Sequence, residues 1–425
     1  MPPIRFIHAA DLHLDAAFSG LSRDIPADFA ERLRTATFTA FRRLLDLCER
    51  ESPDFLLLAG DVYNQEDASV SAQLALRDGF RRLESLSIPV FLVHGNHDPL
   101  ASRLRSVRWP GNVTVFGELP DAVPVFRKGE GTPLAIIHGA SHASGRETRN
   151  LAALFRRTEA CGLHVGLLHA TPGDADGVAR YAPFSQEDLK ASGMDYWALG
   201  HIHDRREVCR EPLAAYPGCT QGLHINEPGE KGCLLVTAEA RPDGGYAVRT
   251  SFRPLGPAVW KTLDMELGGA ASLDELENRL RTGLDRAAAE VWSGCEMLLV
   301  RLRLQGRTEL DGLLRKGTTC AELADRLRED GSGVPRIWIK DIDVATRPCV
   351  ERGALLERED LLGEVFRLSE AARTASGLQA LREGPLAPLF AHARAGKALE
   401  PLTDEELARL LDDAESLCLD LLEND

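Results

Sequence analysis

A chain of 425 residues with 44% hydrophobic and 27% charged residues is long enough for two to three domains and has the make-up of a globular protein, not a disordered one. No run approaches the roughly 18 apolar residues of a membrane span, and the opening MPPIRFIHAADLHLD lacks the apolar core of a signal peptide, so a cytoplasmic location is expected. The net charge of −15 argues at first sight against nucleic acid, but residues 400–425 carry −9 of it and the rest of the chain only −6. Nine cysteines without a C-x-x-C pair suggest thiols, not a zinc knuckle or a disulfide framework.

Apolar runs suited to strands recur at 4–10, 54–60, 88–95, 134–139, 164–170 and 195–201, separated by segments with helical periodicity. Between the first two runs Phe29, Leu33, Ala36, Ala40, Leu44 and Leu47 recur at three- and four-residue steps and are expected on one helical face. Buried strands joined by such helices predict a layered α/β core.

Acid and imidazole groups collect where these runs end. The first ends in ADLHLD, with Asp11 and His13; the second in AGDVYN, with Asp61; the third in HGNHDP, with Asn96, His97 and Asp98. Later runs end in LLHATPG, with His169, and LGHIHD, with His201 and His203. Ligands of open α/β sheets sit at the C-terminal strand ends, and glycines 60, 95 and 200 suit tight turns there. A single Asp-x-His or Gly-Asp is usually a turn or a cap, but the ordered set is far more specific. Seven oxygen and nitrogen ligands without a thiolate suit a pair of manganese, iron or zinc ions, with a carboxylate such as Asp61 able to bridge them. Two such ions clamp a phosphate and activate water, so phosphate-ester hydrolysis is the expected reaction.

The set DLH, GD, GNHD, LLH and GHIH resembles the calcineurin-like metallophosphoesterases, whose fold is a two-sheet α/β sandwich with a dinuclear site at the strand ends. The resemblance implies that Asp11, His13, Asp61 and His203 hold one metal and Asp61, Asn96, His169 and His201 the other. It also implies that His97 is the non-ligand catalytic histidine, with Asp98 as its orienting partner. FIHAADLHLD, HGNHDP and YPGCTQGLHINEPGEKGCLLV at 216–236 are further similar to the SbcD branch of DNA repair nucleases, most closely its YhaO-type members. That branch implies a metal-dependent DNA exonuclease, two divalent ions with manganese as the expected metal, DNA as substrate, an SbcC-like ATPase subunit as partner, and a homodimer. A phosphatase or cyclic-nucleotide phosphodiesterase on the same core, and a non-catalytic scaffold, are the alternatives.

Arginines cluster at 42–43, 77–82, 103–108 and 156–157; such clusters are commonly solvated faces. Arg103, Arg105 and Arg108 gain weight as DNA contacts because they directly follow HGNHDP. From 257 to 345 the pattern becomes strand–helix–strand–helix–strand, resembling the small capping domain of SbcD-type nucleases, with SLDE at 272–275 in the form of a capping box. Thr403 and Glu406 repeat that form before LTDEELARLLDDAESLCLDLLEND, whose leucines have helical spacing. The expected organisation is a nuclease core at 1–255, an α/β capping domain at 256–348, and helices at 349–425 that dock a partner.

Overall fold

The computed structural model describes residues 2–21, 25–64, 69–101, 107–173, 180–242, 244–329, 333–349, 352–392 and 402–423. By internal packing the chain forms one unit of residues 1–262, 287–300 and 332–340 and a second of 263–286, 301–331 and 341–425.

In the first unit the apolar runs become two six-stranded sheets. One runs, in spatial order, Tyr246–Pro254, Gly232–Ala240, Ile4–Ala9, Phe55–Ala59, Val90–Val93, Val113–Val115. The other runs Asp121–Val125, Ala135–Ala140, Leu163–His169, Tyr196–Gly200, Leu213–Tyr216, Arg206–Arg210. In the first sheet Ile4–Ala9, Phe55–Ala59, Val90–Val93 and the edge strand Val113–Val115 pair in parallel while the other two strands pair antiparallel; in the second the four central strands are parallel and both edge strands antiparallel. The α/β two-sheet sandwich expected from the sequence is therefore present.

The continuous apolar runs follow from burial on both faces. Phe6, Phe55 and Leu57 enter the layer between the sheets with Phe91, Val165, Leu167 and Tyr196, while Ile7, Leu56 and Leu58 meet the helices outside. Phe6 stacks on Phe55 with ring centroids 4.7 Å apart and meets Tyr196 edge-on at 5.5 Å. Each such side chain contributes roughly 1.5–3 kcal/mol by burial.

The single helical face expected from Phe29 to Leu47 is corrected. Two helices, Ala27–Arg34 and Ala36–Glu51, break at Thr35 (φ −95°, ψ 2°). The break sends Phe29, Leu33 and Ala36 against Trp260, Met297, Leu299 and Trp338, and Ala40, Leu44 and Leu47 against the first sheet. Ser52, in the left-handed region at φ 46°, ends the second helix before Pro53.

A third sheet is formed by Ala258–Glu266, Met297–Thr308 and Arg336–Pro348, in that order, with helices Leu273–Glu290 and Thr319–Glu329 in the connections. Within the second unit Arg301 pairs across strands with both Asp341 oxygens at 2.6 and 2.9 Å. Ser272 Oγ accepts the Glu275 N–H at 3.2 Å, while the Glu275 carboxylate reaches back to the Ala271 N–H at 3.3 Å. Thr403 and Glu406 form the full reciprocal cap, at 3.2 and 2.7 Å. Among the described residues no helix is long and apolar enough to cross a membrane.

His8 sits wholly buried on the first strand, its ring within 2.9 Å of the Tyr196 hydroxyl and 3.1 Å of the Leu199 carbonyl. Burial pushes its pKa down to about 3, against the smaller opposite effect of Leu199. Unfolded chains take up this proton near pH 6.5, so His8 favours unfolding as pH falls from about 6.5 towards about 3, by ~1.4 kcal/mol per pH unit. In an NMR titration the His8 ring should stay neutral through pH 5; half-protonation near pH 6.5 would contradict this account.

Candidate metal centre

Each expected ligand sits where a strand of the two facing sheets ends. Asp11 and His13 follow Ile4–Ala9, Asp61 follows Phe55–Ala59, Asn96 follows Val90–Val93, His169 closes Leu163–His169, and His201 and His203 follow Tyr196–Gly200. The first two turns continue side by side beyond their strands. N–H groups of Asp11, His13 and Leu14 donate to the carbonyls of Gly60, Asp61 and Val62, each at 3.1 Å. Asp11, His13, Asp61 and His201 all have positive φ, at 51°, 42°, 50° and 101°.

The side chains fall into two groups. Asp11, His13 and His203 present ligand atoms within 4.8 Å of one another, as do Asp61, His169 and His201. Asn96 Oδ1, 3.0 Å from His169 Nε2, adds an oxygen to the second group. Asp61 Oδ2 lies 3.4 Å from His169 Nε2 and 3.9 Å from His13 Nε2, so one carboxylate oxygen borders both groups.

The ring orientations fit a metal. His13 Nδ1 faces Asn64 Oδ1 at 2.6 Å, His169 Nδ1 faces the Ala59 carbonyl at 2.9 Å, and His203 Nδ1 faces the Glu227 carboxylate. With Nδ1–H donating, each Nε2 keeps its lone pair. His13 Nε2 and His203 Nε2 then stand 3.1 Å apart, two lone pairs in one space, an arrangement a cation relieves. The acids make the same point. Burial raises the Asp11 carboxyl to about 6 even against His169 and His203, with the nearby Asp61 charge adding to the rise. Burial would also raise Asp61, but His169, His13 and His97 overcome it and hold that carboxyl well below the usual range.

His97 lies exposed beside the two groups. Its N–H donates to Asp61 Oδ1 at 2.9 Å, and its ring meets His13 edge-on with centroids 5.2 Å apart. The sequence expectation pairs Asp98 with His97, but the structure places the buried Asp98 carboxylate on the backbone. It accepts N–H groups from Gly95 at 2.7 Å, Val62 at 3.1 Å and Asp61 at 3.3 Å, and lies 3.3 Å from His94 Nδ1. Asp98 thus ties the GNHD turn to the GD turn. Arg108 is exposed; Arg103 and Arg105 lie outside the described residues.

The sequence matches the calcineurin-like phosphoesterase family over residues 4–205 and the middle domain of the metallophosphoesterase YhaO over 260–347. It is 34% identical over 392 residues to the uncharacterized metallophosphoesterase YhaO of Bacillus subtilis, covering 90% of this chain and 91% of that one. This chain belongs to the calcineurin-like metallophosphoesterase family. It is 26% identical over 319 residues to the DNA double-strand break repair protein Mre11 of Aeropyrum pernix, covering 68% of this chain and 69% of that one. A dimetal phosphatase from Danio rerio is similar in structure, at 13% identity and a TM-score of 0.33, covering 59% of this chain and 99% of that chain.

Two residues of this metallophosphoesterase site escape a reading of the sequence. Asn64 closes the AGDVYN stretch with nothing in its spacing to mark it, and Glu227 stands 24 positions beyond the histidine it holds. Glu227 is buried, accepts the Leu223 N–H at 2.7 Å and lies 3.2 Å from His224 Nε2. Burial opposes its ionisation, but His203 and the Leu223 N–H hold its pKa at about 2, so it stays an acceptor for His203. Lys231 Nζ, 3.1 Å from the His203 carbonyl and 3.0 Å from Asp204, braces the same turn.

Because Asp61 Oδ2 borders both groups, Asp61→Ala should lower the affinity of both metal positions together. Metal analysis of the purified variant should show loss of both equivalents; two bound ions would remove Asp61 as the shared ligand.

Proposed function

We propose that this metallophosphoesterase hydrolyses DNA phosphodiester bonds as an SbcD-like repair exonuclease working with two manganese ions. The observation that carries this reading is the pair of ligand groups sharing Asp61, with the exposed His97 beside them. In the reading, Asp11, His13, Asp61 and His203 hold one ion, and Asp61, Asn96, His169 and His201 the other. Two divalent ions there supply a clamp for the phosphate and a water of lowered pKa. The all-oxygen-and-nitrogen ligand set suits manganese. Relatives titled DNA double-strand break repair proteins support DNA over a small phosphoester.

The chain's own groups then divide the work. Asp98 fixes the turn that projects Asn96 and His97, and so sets their spacing from Asp61. His97 ligates nothing in this scheme and meets the reacting phosphate, donating a proton to the leaving oxygen or stabilising its charge. Arg108 contacts phosphate without reading sequence. With manganese, the protein should degrade linear DNA faster than it cleaves a small phosphomonoester or a cyclic nucleotide; the reverse preference would favour the phosphatase or cyclic-nucleotide reading. His97→Ala should keep both ions and lose turnover by ~10²-fold or more. An unchanged rate in that variant would take His97 out of the mechanism.

The reading includes an SbcC-like ATPase subunit docked on the C-terminal helices, in the cytoplasm and with a second copy of the chain. The apolar face expected of helix Asp404–Glu423 is divided. Leu407 and Leu419 are buried, Leu419 clustering with Leu362 and Phe366 of helix Leu361–Ala372, while Leu410, Leu417 and Leu421 stay exposed at helical spacing. Asp412 and Glu415 anchor the inner side to Arg347, Arg352 and Arg373. The exposed leucines are the proposed contact, with flanking acids to steer a basic partner. Replacing Leu410 and Leu417 with Glu should leave manganese-dependent cleavage of short DNA intact and abolish co-purification with the ATPase; retained co-purification would exclude this face.

A further inference from the structure

Directly after the ligand His203 the chain carries Arg205 and Arg206, both exposed. Strand Arg206–Arg210 lies antiparallel to Leu213–Tyr216, which is parallel to Tyr196–Gly200, so the two arginines emerge at the strand edge that carries the metal ligands. The Arg205 guanidinium lies 4.0 Å from the centroid of the Phe252 ring, and that of Arg206 lies 5.6 Å from the Tyr216 ring. Tyr216 is itself fixed, its hydroxyl donating to the Ala170 carbonyl at 2.7 Å, one residue beyond the ligand His169. Leu234 and Thr250 complete a surface groove of about 260 Å³ around these side chains, with Glu207 as its acid.

Several arginines of this unit are tied to acids, and these two, among the described residues, are not. Arg43 pairs with Glu296, Arg82 with Asp46 and Glu49, Arg127 with Asp54, Arg149 with Glu147, and Arg157 with Asp195. Among the described residues neither Arg205 nor Arg206 has a carboxylate at ion-pair distance, and Glu207 turns to the Thr250 hydroxyl at 3.5 Å. Stacking on a ring restricts a guanidinium while leaving its N–H edge open, an arrangement ready to take an anion. Two and three residues of chain reach at most about 7 and 10 Å from His203, the scale of one to two steps along a nucleic-acid backbone.

We infer that Arg205 and Arg206, set over the rings of Phe252 and Tyr216, form a phosphate-binding groove that holds the backbone of the DNA strand next to the phosphate at the metal centre. This rests on the nuclease reading above. The groove binds without regard to sequence, since guanidinium–phosphate contacts position a strand and do not read its bases.

The test compares full-length wild type, R205Q/R206Q, R205K/R206K and the remote charge control R42Q. Readouts are manganese content, hydrolysis of bis-p-nitrophenyl phosphate, and binding of a fluorescent oligothymidylate across a salt series. R205Q/R206Q should keep its manganese and its rate on the small diester, bind the oligonucleotide at least ~10-fold more weakly, and lower the log–log salt slope by about 1.4, near 0.7 per lost single-strand contact. R205K/R206K should keep the slope but bind more weakly than wild type, because lysine retains charge without the stacked plane. R42Q should match wild type. Equal binding and slope in wild type and R205Q/R206Q overturn the groove while leaving the nuclease reading standing. Wild type that hydrolyses the small diester but neither binds nor cleaves DNA overturns both. Loss of manganese from R205Q/R206Q together with R205K/R206K would mean the arginines serve the fold of the His203 turn, and also overturns the groove.

Discussion

The metal centre depends on how closely the two sheets can approach at their C-terminal edge. The candidate ligands come from strands of both, and imidazole and carboxylate arms are short, so the backbones approach closely there. A Cβ on Gly200 would lie 1.9 Å from the Ala59 carbonyl oxygen of the facing sheet, which also receives the His169 Nδ1–H at 2.9 Å. A Cβ on Gly95 would meet Asp61 Oδ1 at 2.3 Å. These glycines matter here for their missing side chain: they let His169 and Asp61 stand where both can face Asn96, His201 and the first ligand group. The hydrophobic layer between the sheets sets the approach, and the glycines allow it to continue to the edge.

Holding that edge has a cost in backbone conformation. Asp11, His13, Asp61 and His201 sit at positive φ, which for non-glycine residues costs of order 1–3 kcal/mol each. The structure offsets this locally. The ADLHL turn is bonded to the GDV turn, Asp98 bonds GDV to the GNHD turn, and both oxygens of Asp11 accept the His201 N–H, at 3.1 and 3.2 Å. Four turns are thereby linked into one frame, which fixes the backbone from which the candidate ligands project. This also gives Asp98 its part: it determines where His97 stands by fixing the turn, not by touching the ring.

The strands and the seven candidate ligands are legible in the sequence because each candidate lies within a few residues of a buried apolar run, and a run buried on both faces needs no tertiary information to be seen. Glu227 was not, because its relation to His203 is made by a loop that returns from 24 residues away. The arginine groove is hidden for a similar reason: Arg205 stacks on Phe252, far along the chain, and composition reports only one more arginine. The break at Thr35 left no mark because threonine is no helix breaker; what divides the helices is that Phe29 and Leu33 serve one cluster while Ala40 and Leu44 serve another. On the last helix periodicity reports the whole apolar arc and cannot say which leucines the chain itself covers, which is why Leu407 and Leu417 looked alike.

The net charge of −15 is unevenly spread, and its effect at the candidate site depends on distance. At physiological salt a charge is screened over about 8 Å, so an anion at the candidate metal centre responds chiefly to charges within that distance. Most of the excess acid lies in residues 400–425, and part of it, Asp412 and Glu415, is already matched by Arg347, Arg352 and Arg373. Near the ligands the balance differs: Asp11 and Asp61 face histidines, Asp204 faces Lys231, and Arg205 and Arg206 remain without acid partners among the described residues. Net charge then bears on solubility and on which proteins approach, whereas the local set of ligands and stacked arginines determines which anion the site can hold.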